Sequence, residues 1–187
     1  SKLHNLIKAS KIDFTPLTPE DANLVSSGRW ISLLDIPKLL NVKPNNPIIT
    51  KPYIAVNEEV KFKWKNILLN KKRPLVGINW QGNPNLEKSN YQGRSIPLEK
   101  FSRLSKLNDL TLLSLQKGFG SEQLDECSFK EKFIISQDII NSSWDFHDNA
   151  AIIDNCDLII TVDTAVAHLA GGMGKRVWLL LKDCPFW

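Results

Sequence analysis

Two polar clusters carry the chemistry this sequence could perform. The first, Trp80-Gln81-Gly82-Asn83-Pro84, continues through Lys88, Ser89, Asn90, Gly93, Arg94 and Ser95 before Pro97. A polar stretch of about a dozen residues is longer than a strand-to-helix turn requires, and its glycine, amides and cations suit an anionic, hydroxyl-rich ligand. The second, Asp163-Thr164-Ala165-Val166-Ala167-His168, follows an apolar run with no spacer and opens a helical period. First-turn amides of Ala165, Val166 and Ala167 then project from a helix N-terminus, where unpaired N–H groups and a partial positive charge favour phosphate. Thr164 adds a hydroxyl, and His168 lies one turn further along. A plainer reading stands beside this one. Asp and Thr are ordinary N-caps, histidine often sits half-buried, and Lys88 and Arg94 read equally as solvated loop charges.

The elements that must hold these clusters are legible from hydropathy. Short apolar runs at 75–80, 110–115, 133–135, 158–162 and 177–181 read as five buried strands. Stretches of helical period at 97–107, 121–127, 144–156 and 164–173 separate them. Strand and helix in alternation imply right-handed crossovers and a parallel sheet covered on both faces: an α/β, doubly wound, Rossmann-like five-stranded sheet with expected order 3-2-1-4-5. Ligands of such sheets sit beyond the carboxyl ends of the strands where the order reverses, here between the first and fourth runs, and both polar clusters fall there. Trp80 and Trp178 are expected in the core and His147 toward solvent. Upstream the chain is irregular and partly helical, with a short helix at 3–7, turns at Pro16 and Pro19, proline-rich loop chemistry at 41–52 and a helix at 58–70. The chain therefore divides into residues 1–70 and 71–187.

Composition narrows the function classes. The 187 residues are 42% hydrophobic and 24% charged with net charge +4, as in a globular domain. The cations are scattered, which argues against nucleic acid as a partner. Cys127, Cys156 and Cys184 show no CxxC or Cys/His grouping, so neither a disulfide framework nor a metal site is expected, and the cytoplasm is the expected compartment. No apolar run approaches the ~20 residues of a membrane span, and no signal peptide is evident. G-x-G-x-x-G after the first strand, G-x-x-x-x-G-K-[ST], G-x-S-x-G and D-x-D are all missing, leaving helix dipole and cations to hold any diphosphate. The chain starts without Met and stops at Pro185-Phe186-Trp187 directly after an expected strand, which reads as a piece of something longer.

At these same residues the sequence resembles the heptosyltransferase-like glycosyltransferases of the two-Rossmann GT-B fold, especially the bacterial domains that follow tetratricopeptide repeats. The resembling segments are residues 77–84, 93–98, 114–118 with Glu122 and Gln123, and above all 157–171 with 174–178, together covering 74–187. The resemblance implies that 71–187 is the nucleotide-sugar-binding carboxyl-terminal half and that 1–70 is the tail of the acceptor domain with its linker. It implies a metal-independent, inverting transfer of a hexosyl, heptosyl or N-acetylglucosaminyl group, with no cofactor, to a protein, glycan or lipid-linked acceptor. The implied donor-binding set is Gln81, Gly82, Asn83, Arg94, Ser95, Lys117, Gly118, Asp163, Thr164, Ala165 and His168, the base belonging to the acceptor domain. A non-catalytic nucleotide- or sugar-binding module and another nucleotide-dependent α/β enzyme, such as an epimerase, remain the alternatives.

Overall fold

The computed structural model describes residues 3–12, 17–88 and 93–183. Pro16, Ser89, Asn90, Cys184 and the closing Pro185-Phe186-Trp187 lie outside the described residues. In chain order the elements are α1 (His4–Ala9), α2 (Pro19–Asn23), α3 (Ile36–Leu39), α4 (Glu58–Leu68), β1 (Leu75–Asn79), α5 (Pro84–Glu87), a 3-10 helix (Leu98–Lys106), β2 (Thr111–Ser114), α6 (Gln123–Glu126), α7 (Gln137–Asn141), α8 (Phe146–Asp154), β3 (Leu158–Val162), α9 (Ala165–Gly172) and β4 (Val177–Leu180).

The sheet is wholly parallel with order β2-β1-β3-β4. Ile78 sits in register with Ser114 on one side and Ile160 on the other. Along β1 successive side chains serve opposite faces, as the strand period requires. Leu75 joins a core with Trp64, Leu68, Leu113, Ile152 and Ile159, whereas Val76, Ile78 and Trp80 join one with Leu98, Phe101, Leu112 and Phe129. Both faces are therefore apolar and covered, which is why the runs read as continuous rather than alternating.

Among the described residues the sheet has four strands where five are expected. Phe133 makes only a bridge to Leu112, and Ile135 is 96% exposed. The edge position is taken by a side chain: Gln137 Nε2 donates to the Ser114 carbonyl at 2.9 Å, and Gln137 Oε1 accepts from the Ser114 amide at 2.9 Å. This carboxamide does for β2 what a further strand's backbone would do. Trp178, expected in the core, is 58% exposed on β4, the edge strand of the sheet among the described residues. His147, expected at the surface, is buried, and its Nε2 accepts the Asn57 backbone N–H at 3.2 Å. Trp80 is fully buried as expected.

Part of the upstream segment packs on the sheet domain. Leu6 of α1 and Trp64 and Leu68 of α4 enter the core beside α8, each such burial contributing roughly 1.5–3 kcal/mol. Trp64 Nε1 donates to Asp148 Oδ1 at 2.5 Å. The stretch before α4 straps α9, with the Tyr53 and Ile54 amides donating to the Gly172 carbonyl at 2.9 and 3.0 Å. Residues 20–51 differ: Trp30, Leu34 and Ile49 are among their exposed apolar side chains.

Candidate functional site

Where the winding reverses, between β1 and β3, a cavity of about 420 Å³ opens beyond the carboxyl ends of β1, β2 and β3. Its floor is a polar network with its internal bonds already made. Asn79, the last residue of β1, accepts at Oδ1 from Thr164 Oγ1 at 2.7 Å and donates from Nδ2 to Gln116 Oε1 at 2.7 Å. The same Gln116 oxygen takes the Trp80 and Gln81 amides at 3.2 and 2.9 Å, while Gln116 Nε2 donates to the carbonyls of Gln81 and Phe119 at 3.0 and 2.6 Å. Gln116 thus ties the loop after β1 to the loop after β2. A floor so satisfied holds the walls in place and leaves recognition to them.

One wall is the loop after β1. Asn83 accepts the Asn85 amide at Oδ1, starting the single turn of α5. That turn brings Glu87 against Ser95, whose hydroxyl donates to Glu87 Oε1 at 2.5 Å while accepting the Gly82 amide at 3.0 Å. Arg94 Nε lies 3.5 Å from the same carboxylate oxygen, and both side chains of this pair are largely buried. The Arg94 guanidinium then lies against Gly82 so closely that any Cβ there would overlap it. Gln81, Gly82, Asn83 and Arg94 line the cavity. Ser95 is not among its lining residues and serves instead as the bridge between Glu87 and Gly82.

The second wall is the start of α9. Thr164 is its N-cap residue, but no side chain caps the helix. The Thr164 hydroxyl goes to Asn79 instead, so Thr164 does not serve as the side-chain N-cap that its type suggests. Thr164, Ala165 and Val166 line the cavity, whereas the Ala167 amide is taken by the Thr164 carbonyl at 3.0 Å. Asp163 and His168 are not among the lining residues, and His168 is exposed on α9.

The third wall comes from the loop after β2 and from α8. Lys117 lines the cavity and donates to the Ile140 carbonyl. Burial pushes its ammonium down to about 8, with Asp148 pulling weakly the other way. Gly118 is not among the lining residues, and it turns the loop with φ +67° beside the Trp144 ring. Phe119, Trp144, Phe146 and Asn149 complete the wall. The sequence reading missed these four along with Asn79, Gln116 and Glu87. A polar residue ending an apolar strand was a usable signal for Asn79 and Gln116; for the α8 residues there was none, since the crossing of α8 over the sheet decides which side faces the cavity. Among the described residues no group of three His, Cys, Asp or Glu side chains could hold a metal ion. No helix of these residues is long and apolar enough to cross a membrane.

A parallel, doubly wound sheet with a cavity at its switch point places the chain in the Rossmann-like α/β class found in GT-B glycosyltransferases. No known protein family matches the chain by sequence profile, and no curated protein matches it in sequence. Among solved structures it is similar to the Escherichia coli ADP-heptose LPS heptosyltransferase II, at 15% identity and a TM-score of 0.51, over 70% of this chain and 41% of that one. At that identity the likeness establishes the fold, and the chain spans less than half the length of that enzyme.

Proposed function

We propose that the chain is the donor-binding half of a glycosyltransferase, holding a nucleoside diphosphate sugar in the switch-point cavity. The observation that carries this reading is the convergence on one cavity of a helix start without a side-chain cap, at Thr164, Ala165 and Val166, and two cations, Lys117 and Arg94. The diphosphate lies against the Ala165 and Val166 amides, with Lys117 and Arg94 flanking it. Asp163 and His168, beside the cavity, meet the sugar that projects from it. On attack at the anomeric carbon the bond to the diphosphate oxygen breaks, and the charge gathering on that oxygen is met by dipoles and cations already in place. One such preorganised donor contributes about 3–4 kcal/mol in comparable sites.

Among the described residues no carboxylate or imidazole lines the cavity, and the reading assigns the base that activates the acceptor to another domain. The reading thus makes the isolated chain a binder that does not transfer, with inversion and absence of metal as its corollaries. Calorimetry with UDP, ADP and GDP in EDTA tests it. Binding heat and thermal stabilisation by at least one of them are expected. A folded chain that shows neither at millimolar ligand overturns the donor-site reading, and acceptor-dependent turnover by residues 1–187 alone overturns the division of labour.

A further inference from the structure

Lys117 differs from the ion-paired cations around the sheet. Lys63, Lys72, Lys130 and Lys175 each pair with an aspartate, and Arg94 with Glu87. Among the described residues no carboxylate lies within ion-pair distance of Lys117, whose amine bonds to the uncharged carbonyl of Ile140, and Lys117 is the one lysine on the cavity wall. The wall beside it is apolar, formed by Leu115, Trp144 and Phe146, and the same cavity holds Arg94 and the start of α9, both of which attract anions. A half-buried amine outside ion-pair reach of any described carboxylate, beside an apolar wall in a space that draws in anions, is set up as a nucleophile.

We propose that Lys117 is a site of covalent modification by small phosphorylated aldehydes, which it captures as an imine within the cavity. The neutral amine adds its lone pair to the carbonyl carbon, forming the C–N bond. As the C=O π bond breaks, one N–H proton passes to the carbonyl oxygen to give a hydroxyl; that hydroxyl then leaves with the second N–H proton as water, so aldehyde and amine become imine and water without oxidant or reductant. The phosphate arm supplies affinity through the anion-attracting walls, and the apolar wall slows hydrolysis of the imine. The lowered ammonium pKa of Lys117 adds to this: at pH 8 its neutral fraction exceeds that of an ordinary lysine on the order of a hundredfold.

The probe is pyridoxal 5′-phosphate at pH 8, followed by borohydride reduction and peptide mass spectrometry of the folded chain. Lys117 is expected to carry most of the label, pyridoxal without phosphate to label it far less, and Lys117→Arg to lose that label while keeping its urea midpoint. Label spread evenly over exposed lysines such as Lys65 and Lys100 overturns the proposal. Equal labelling by pyridoxal overturns its anion arm. The wild-type peptide map decides alone if the variant does not fold. The proposal rests on the cavity and not on the donor reading, and a nucleotide arm separates them: labelling of Lys117 that UDP, ADP and GDP all fail to block sustains the capture site while removing the donor from this cavity.

Discussion

The α9 wall and the Lys117 wall of the cavity achieve the same end by different means. The α9 wall acts through backbone: Thr164 makes no side-chain cap bond to the first turn, and the dipole that ends there is fixed in place before a ligand arrives. The opposite wall acts through a formal charge whose burial is already unfavourable, since Lys117 is half-buried with an uncharged carbonyl for partner. A phosphate gains position from the first wall and charge compensation from the second. Backbone dipoles are therefore insensitive to pH and to most substitutions, whereas the Lys117 wall should respond strongly to both.

The largest effect expected is on that wall. Lys117→Met removes a hydrogen bond to a charged ligand, worth about 1.5–3 kcal/mol, or roughly one to two decades in nucleoside diphosphate affinity by calorimetry. Its urea midpoint should hold or rise, because an unfavourable buried charge is lost. A variant that keeps its affinity would assign the charge compensation to α9 and Arg94 alone.

Next comes Gly82→Ala, whose Cβ must displace the Arg94 guanidinium. Loss of one charged contact predicts about a tenfold weaker binding, since ~1.4 kcal/mol is a factor of ten. Ser95→Ala, which cuts the link between Glu87 and Gly82 but leaves the cavity lining intact, should weaken binding less; the two titrations side by side test whether Arg94 is held by that link.

The pH response has a defined sign. Lys117 has its folded pKa lowered to about 8 from 10.5, so the folded state binds fewer protons than the unfolded one between these values. Stability therefore rises with pH across that window, and the penalty is fully present below about 8. Affinity moves oppositely, because the neutral amine no longer meets the anion, and binding near pH 8 should take up protons. Urea melts and titrations at pH 7 and 9, each compared with Lys117→Met to cancel other groups, check both signs.

The smallest effect belongs to His168→Ala. His168 is exposed on α9 and lies outside the cavity lining, so under the donor reading it faces the sugar and not the diphosphate. Affinity for nucleoside diphosphates without sugar should stay within about 0.5 kcal/mol, as for other surface changes, with any larger loss confined to the sugar-bearing donors. Equal losses for both ligand types would place the imidazole at the diphosphate and redraw the α9 wall.

What the amino-acid sequence determined by itself was the α/β class, the parallel sheet, the order of the four strands that form, and the position of both polar clusters at the switch point. These follow from local hydropathy and from the handedness of crossovers, which act along the chain and need no knowledge of distant partners. The start of α9 was legible for the same reason: a strand running directly into a helix exposes amides wherever it folds. Tertiary structure decided the rest. Gln137, which the sequence pattern assigns to no element, stands in for the expected third strand because its carboxamide reaches Ser114. His147 is buried because α4 and its leading strap fold back over α8, and Trp178 is exposed on what is the edge strand among the described residues. Asn79 and Gln116 meet across adjacent strands from positions 37 residues apart, and Trp144, Phe146 and Asn149 reach the cavity through the packing angle of one helix. A side chain's partners across such separations depend on how elements cross, and no periodicity along the chain records that angle.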